Sequence, residues 1–177
     1  MTTLDADNAD FPEGEKAPEK TSIREVMGLE VEHLLPGLSI AAKMLQRGDE
    51  EGALRTYATL VLCDPNEPRF QQGLAACALK IGQHAVALQA ASAIIAFWPE
   101  SPEGYHFSAH ACIGLEEYEA AIEDFTDALR LAQQTGNEAI ASDSERMIGR
   151  IGLILERKKS DDGESAASEN QEPLSAS

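Results

Sequence analysis

Positive charge is what this chain has least of: 14 Lys and Arg stand against 31 Asp and Glu over 177 residues, a formal net charge of −17. Phosphate backbones are bound by clustered Lys and Arg, so this balance removes the electrostatic case for nucleic acid, and it repels anionic membrane surfaces as well. Cysteine is scarce too. Cys63, Cys77 and Cys112 are odd in number, scattered, and without metal-ligand spacing, which excludes a disulfide framework and predicts reduced, buried thiols. No apolar run approaches the roughly 20 residues needed to span a bilayer, and the N-terminal stretch is acidic rather than basic and then apolar. The expectation is a protein that stays in the cytosol.

Catalytic motifs are also missing. There is no G-x-x-x-x-G-K-[ST] and no G-x-G-x-x-G, so nothing cradles a phosphate, and no constellation suggests an enzyme or a cofactor. His106 and His110 lie four residues apart, a metal-compatible spacing. They lack the glutamate of an H-E-x-x-H site, and the sequence identifies no third ligand, so no metal is expected.

What is present is a period of 34 residues that runs three times without insertion or deletion. Gly48 returns at Gly82, and Pro65 at Pro99. Ala41 returns at Ala75 and Ala109; Ala53 returns at Ala87 and Ala121. Larger side chains keep the same clock, as in Leu54, Leu88 and Ile122, or Val61, Ile95 and Leu129. Each unit holds two apolar stripes at helical spacing, with a break near the glycine and a stop near the proline, which predicts one helical hairpin per repeat. Alanine where two helices cross lets the backbones approach, and a larger group there would overpack by about 1–3 kcal/mol.

These features match the tetratricopeptide repeat, with units at 34–67, 68–101 and 102–135. A single hairpin cannot bury its own apolar face, so the fold class is all-α, a stacked superhelix. The third unit departs from the pattern, with Gln133 in the proline column and Gly114 and Glu116 around its turn. Residues 1–20 are acidic and proline-containing and predict a disordered tail; the repeat domain spans 21–158. Ser22 and Glu25 make a capping box for a short leading helix bearing Ile23, Val26 and Met27, which Gly28 ends. Pro36 is tolerated only in the first turn of the next helix. After Gly136 and Asn137, the stripe Ile140, Met147, Ile148, Ile151, Ile154 and Leu155 predicts a capping helix over about 138–158, and 159–177 reads as a second disordered tail.

The concave wall of such an array is lined by the first helix of each unit. Carrying the groove-facing positions of the repeat onto this chain gives Leu35, Leu38, Ala42 and Leu45, then Arg69, Gln72, Ala76 and Leu79, then Glu103, His106, His110 and Ile113. The lining is aliphatic at one end and polar at the other, which suits an extended segment with spaced aliphatic anchors. Leu45, Leu79 and Ile113 have a second reading, as packing between helices.

One stretch goes beyond repeat consensus. Asp64-Pro65, then Arg69-Phe70-Gln71-Gln72-Gly73-Leu74-Ala75-Ala76-Cys77 with Gly82 and Ala87 following, resembles the class II chaperones of bacterial type III secretion, the translocator chaperones. Pro102 to Cys112 resembles their third repeat, and the likeness covers roughly 22–133. The resemblance implies an ATP-independent cytosolic chaperone that holds hydrophobic translocator proteins in its groove before export. It also implies dimerisation through the leading helix, hence through Ile23, Val26 and Met27. The alternative is a repeat adaptor docking a soluble partner's terminal peptide, for which Arg69 and Lys80 are the available cations.

Overall fold

A computed structural model describes residues 22–169, and among these there is no strand. The chain opens with α1 (Ile23–Val26) and a 3₁₀ turn (Val31–His33). Three hairpins follow: α2 (Leu35–Gln46) with α3 (Glu50–Cys63), α4 (Pro68–Lys80) with α5 (His84–Phe97), and α6 (Pro102–Gly114) with α7 (Tyr118–Thr135). A long helix, α8 (Glu138–Glu169), completes the order.

The second helices begin at Glu50, His84 and Tyr118, 34 residues apart, as the period predicts. The turns before them share one backbone state. Gly48 and Gly82 have φ of 83° and 73°, and the same column of the third unit holds Glu116 at φ 63°. The third repeat therefore keeps the left-handed turn of the first two and makes it with a glutamate. Proline placement explains the helix lengths: α3 and α5 stop two residues before Pro65 and Pro99, whereas Gln133 offers no such stop and α7 runs on to Thr135, ended by Gly136 at φ 72°.

The alanine columns are fully buried. Ala41, Ala75 and Ala109, and likewise Ala53, Ala87 and Ala121, have no exposed surface, so each hairpin crosses on small residues. Larger side chains fill the space between hairpins, with Tyr57, Phe70 and Leu74 in one cluster and Phe125 and Ile151 in another. Each helix from α2 onward packs on the next, and α4 touches α6 as α6 touches α8. α8 thus occupies the place of a fourth first helix, and Ile151, 1% exposed, seals the open end of the stack.

Two expectations about the ends meet the structure differently. Residues 1–20 and 170–177 lie outside the described residues. The capping helix was expected to end at 158 and is instead continuous to Glu169. Residues 159–169 are rich in Ala, Glu and Ser and contain no proline, so nothing in them forces a helix end, and Ser160 Oγ donates to the Glu156 carbonyl at 3.1 Å.

Candidate functional site

The first helices α2, α4 and α6 carry the residues expected to line the groove, and the structure sorts these into two kinds. Ala42, Arg69 and Ala76 are exposed. Leu35, Leu38, Leu45, Gln72, Leu79, Glu103, His106, His110 and Ile113 are half-buried. Leu38 and Leu45 pack on the cluster of Ala41, Tyr57 and Phe70, while Leu79 and Ile113 pack on the clusters around Ala111 and Phe125. Each of these four side chains therefore spends one flank on the core and leaves the other outside.

The Gly-Leu-Ala-Ala-Cys run is largely built for packing. Leu74, Ala75 and Cys77 are buried, and Ala76 alone in that run is exposed. A Cβ on Gly73 would collide with the Tyr57 ring, so the glycine sets the approach of α4 to α3. Burial pushes the Cys77 thiol above its ordinary pKa, and its Sγ lies 3.4 Å from the Glu50 carbonyl oxygen. Cys112 is also buried and Cys63 is partly exposed; all three are free thiols.

The two cations are held by their own chain. Arg69 Nε and Nη2 donate to the Glu67 carboxylate at 2.6 and 3.0 Å, and Lys80 Nζ pairs with Glu50 at 3.0 Å. His106 and His110, expected at the polar end of the wall, are drawn onto α8. Their Nε2 atoms lie 3.0 and 3.1 Å from the same Asp143 oxygen, and both rings meet Phe125 edge-on, at centroid distances of 5.9 and 5.1 Å. Burial, reinforced by His106, pushes the His110 pKa down, which favours the neutral imidazole. Burial works to raise the Asp143 carboxyl, but the hydrogen bonds from the two histidines outweigh it and hold the group below its ordinary value. Among the described residues these three side chains form the cluster able to hold a metal ion. Asp143 was not legible as their partner, because only the packing of α6 on α8 brings it there.

The leading helix is fixed at one side and open at the other. Ser22 Oγ accepts from the Glu25 amide and Glu25 accepts from the Ser22 amide, closing the expected capping box. Arg24 Nε donates to the buried Asp64 carboxylate at 2.6 Å and its Nη1 to the Leu29 carbonyl at 2.9 Å. This orientation leaves Ile23, Val26 and Met27 exposed at 53%, 76% and 66%. A further apolar cavity of about 420 Å³ lies between α3, α4 and α5, bordered by Leu54, Leu62, Leu74 and Val86; the sequence pattern gave no sign of it.

No protein-family model and no curated protein matches the sequence. Solved structures do. SycD, the type III secretion translocator chaperone of Yersinia enterocolitica, is 21% identical; the match covers 73% of this chain and 97% of SycD with a TM-score of 0.68. PcrH from Pseudomonas aeruginosa is 25% identical, with 71% and 96% covered and a TM-score of 0.66, and PcrH also has a structure in complex with the chaperone binding region of PopB. A T3SS complex from Aeromonas hydrophila is 20% identical, with 76% and 91% covered and a TM-score of 0.72. The matches cover nearly the whole length of those proteins, and the chain has the tetratricopeptide-repeat fold of the class II translocator chaperones of type III secretion.

Proposed function

We propose that the protein is an ATP-independent cytosolic chaperone of a bacterial type III secretion system, which binds hydrophobic translocator proteins and keeps them soluble and export-competent. The observation that carries this reading is the likeness to PcrH and SycD over 96% and 97% of their own lengths, with TM-scores of 0.66 and 0.68. The wall of α2, α4 and α6 would take an extended client segment, with aliphatic anchors between Leu38, Leu45 and Leu79 and backbone passing over the exposed Ala42 and Ala76. An excess of negative charge keeps such a complex dispersed. Among the described residues no helix is long and apolar enough to cross a membrane.

Co-expression with hydrophobic proteins encoded by neighbouring reading frames tests the reading. A soluble complex is the expected result; clients that remain insoluble in its presence overturn it. The adaptor alternative needs a cationic clamp for a charged terminus, and Arg69 and Lys80 are already engaged by Glu67 and Glu50.

The leading helix supplies a homodimer contact in this reading, through Ile23, Val26 and Met27. These apolar side chains lie on and at the end of a helix anchored to Asp64 through Arg24 and are exposed, the geometry of a surface awaiting a partner. Val26→Glu with Met27→Glu is expected to shift the sedimentation profile to monomer. An unchanged profile would show that these side chains do not hold copies together.

A further inference from the structure

The His106, His110 and Asp143 cluster is more ordered than a groove lining requires. Histidines at positions i and i+4 of α6 project from one helix face, and α8 brings a carboxylate to both at once. Three donor atoms, two imidazole Nε2 and Asp143 Oδ2, lie within 4.8 Å of one another. Zinc held at about 2.0–2.1 Å by nitrogen and oxygen has its tetrahedral ligands about 3.3 Å apart, and the two histidine-to-aspartate separations here are 3.0 and 3.1 Å. On these two histidine-to-aspartate edges the donors need to part by only a few tenths of an ångström to admit the ion.

The surroundings fit as well. Side-chain exposures of 19%, 31% and 23% leave the site open on one side, so solvent supplies the fourth position. Phe125 closes the other side and limits both imidazole rings to small movements. Arg146 pairs with the other oxygen of Asp143, Oδ1, and so orients the carboxylate with Oδ2 towards the histidines; its side chain is 66% exposed and is free to lean outward when a cation enters.

We propose that His106, His110 and Asp143 form a site for a divalent transition-metal ion, with Zn²⁺ the ordinary occupant, that ties α8 to the third repeat. Imidazole and carboxylate donors in this number suit zinc, and the neighbouring first-row ions with it. Each ring binds as neutral imidazole with its proton on Nδ1, and the ion takes the place of the two hydrogen bonds to Asp143. The consequence is mechanical: the closing helix becomes fixed to α6 through metal bonds as well as through Ile151 and its apolar neighbours.

Titration of the untagged full chain with Zn²⁺, followed by calorimetry and by thermal unfolding, tests this. One ion per chain and a rise in melting temperature are expected, with Co²⁺ giving the visible absorption of a four-coordinate site. Asp143→Asn keeps the side-chain shape and is expected to weaken Zn²⁺ binding by about tenfold or more. His110→Gln is expected to do the same, and circular dichroism checks that both remain helical. Absence of a stoichiometric ion in the wild-type chain overturns the proposal. So does undiminished binding by both variants, which would place the ion at other donors such as Cys63 or the surface carboxylates.

Discussion

Gly73 lets α4 settle against the face of Tyr57, and the buried alanines of the same helix depend on that approach. Gly73→Ala gains helix propensity but forces the ring or the helix to move, and overpacking wins: a loss of about 1–3 kcal/mol is expected in chemical denaturation. Glu116 presents the opposite case. It holds a left-handed φ of 63° that Gly48 and Gly82 adopt without a side-chain penalty. Glu116→Gly is expected to raise stability by about 0.5–1 kcal/mol, the αL cost relieved less the extra chain entropy of glycine. A lower midpoint would show that the glutamate side chain contributes something the turn geometry does not reveal. Asp124, between α6 and α7, has its carboxyl pushed above the ordinary value by burial and by the nearby Asp127 and Glu123, against a hydrogen bond from Ser108. Its folded state binds the proton more tightly than the unfolded chain, so this group's contribution is fully favourable below the unfolded pKa and is lost as pH rises through the folded value. Denaturation of Asp124→Asn alongside the wild type should show the variant's advantage growing with pH across that window and level above it.

α1 shows how little local sequence can hold by itself. Four residues are too few to be helical alone, so the element rests on its capping box and on the Arg24 to Asp64 pair at the end of the first repeat. Arg24→Ala leaves the buried Asp64 carboxylate without its cation, and faster amide exchange over residues 23–29 is expected, together with weaker self-association. Protection equal to wild type would mean that the cap is sufficient. The capping box, the 34-residue hairpins and the buried alanine columns were all legible, because each is written in residues close together in sequence or repeated by the period. The meeting of His106 and His110 with Asp143 was not, since it joins residues more than 30 positions apart that belong to no repeating column. Nor was the full length of α8: a composition of Ala, Ser and Glu is compatible with tail or helix, and no proline decides between them before Glu169.

At the scale of the whole molecule, the stack has one set of side chains to serve both its core and its proposed client. Leu38 and Leu45 are half-buried against Tyr57 and Phe70, so Leu38→Glu with Leu45→Glu would cost about 1–3 kcal/mol at each site and could abolish client binding merely by loosening the first repeat. The exposed alanines separate the two roles. Ala42 and Ala76 come from first helices of successive hairpins and have their methyl groups outside the core, where a larger side chain meets solvent rather than a packed neighbour. Ala76→Trp is therefore expected to change unfolding free energy by no more than about 0.5 kcal/mol, as for an ordinary surface position. In co-expression the same variant should lose the soluble client, because the indole fills the wall between the aliphatic anchors. Ala42→Trp is the independent copy of the test one repeat earlier. If both variants fold as the wild type does and still hold the client in solution, the client lies elsewhere, and the apolar cavity between α3, α4 and α5 becomes the surface to probe next.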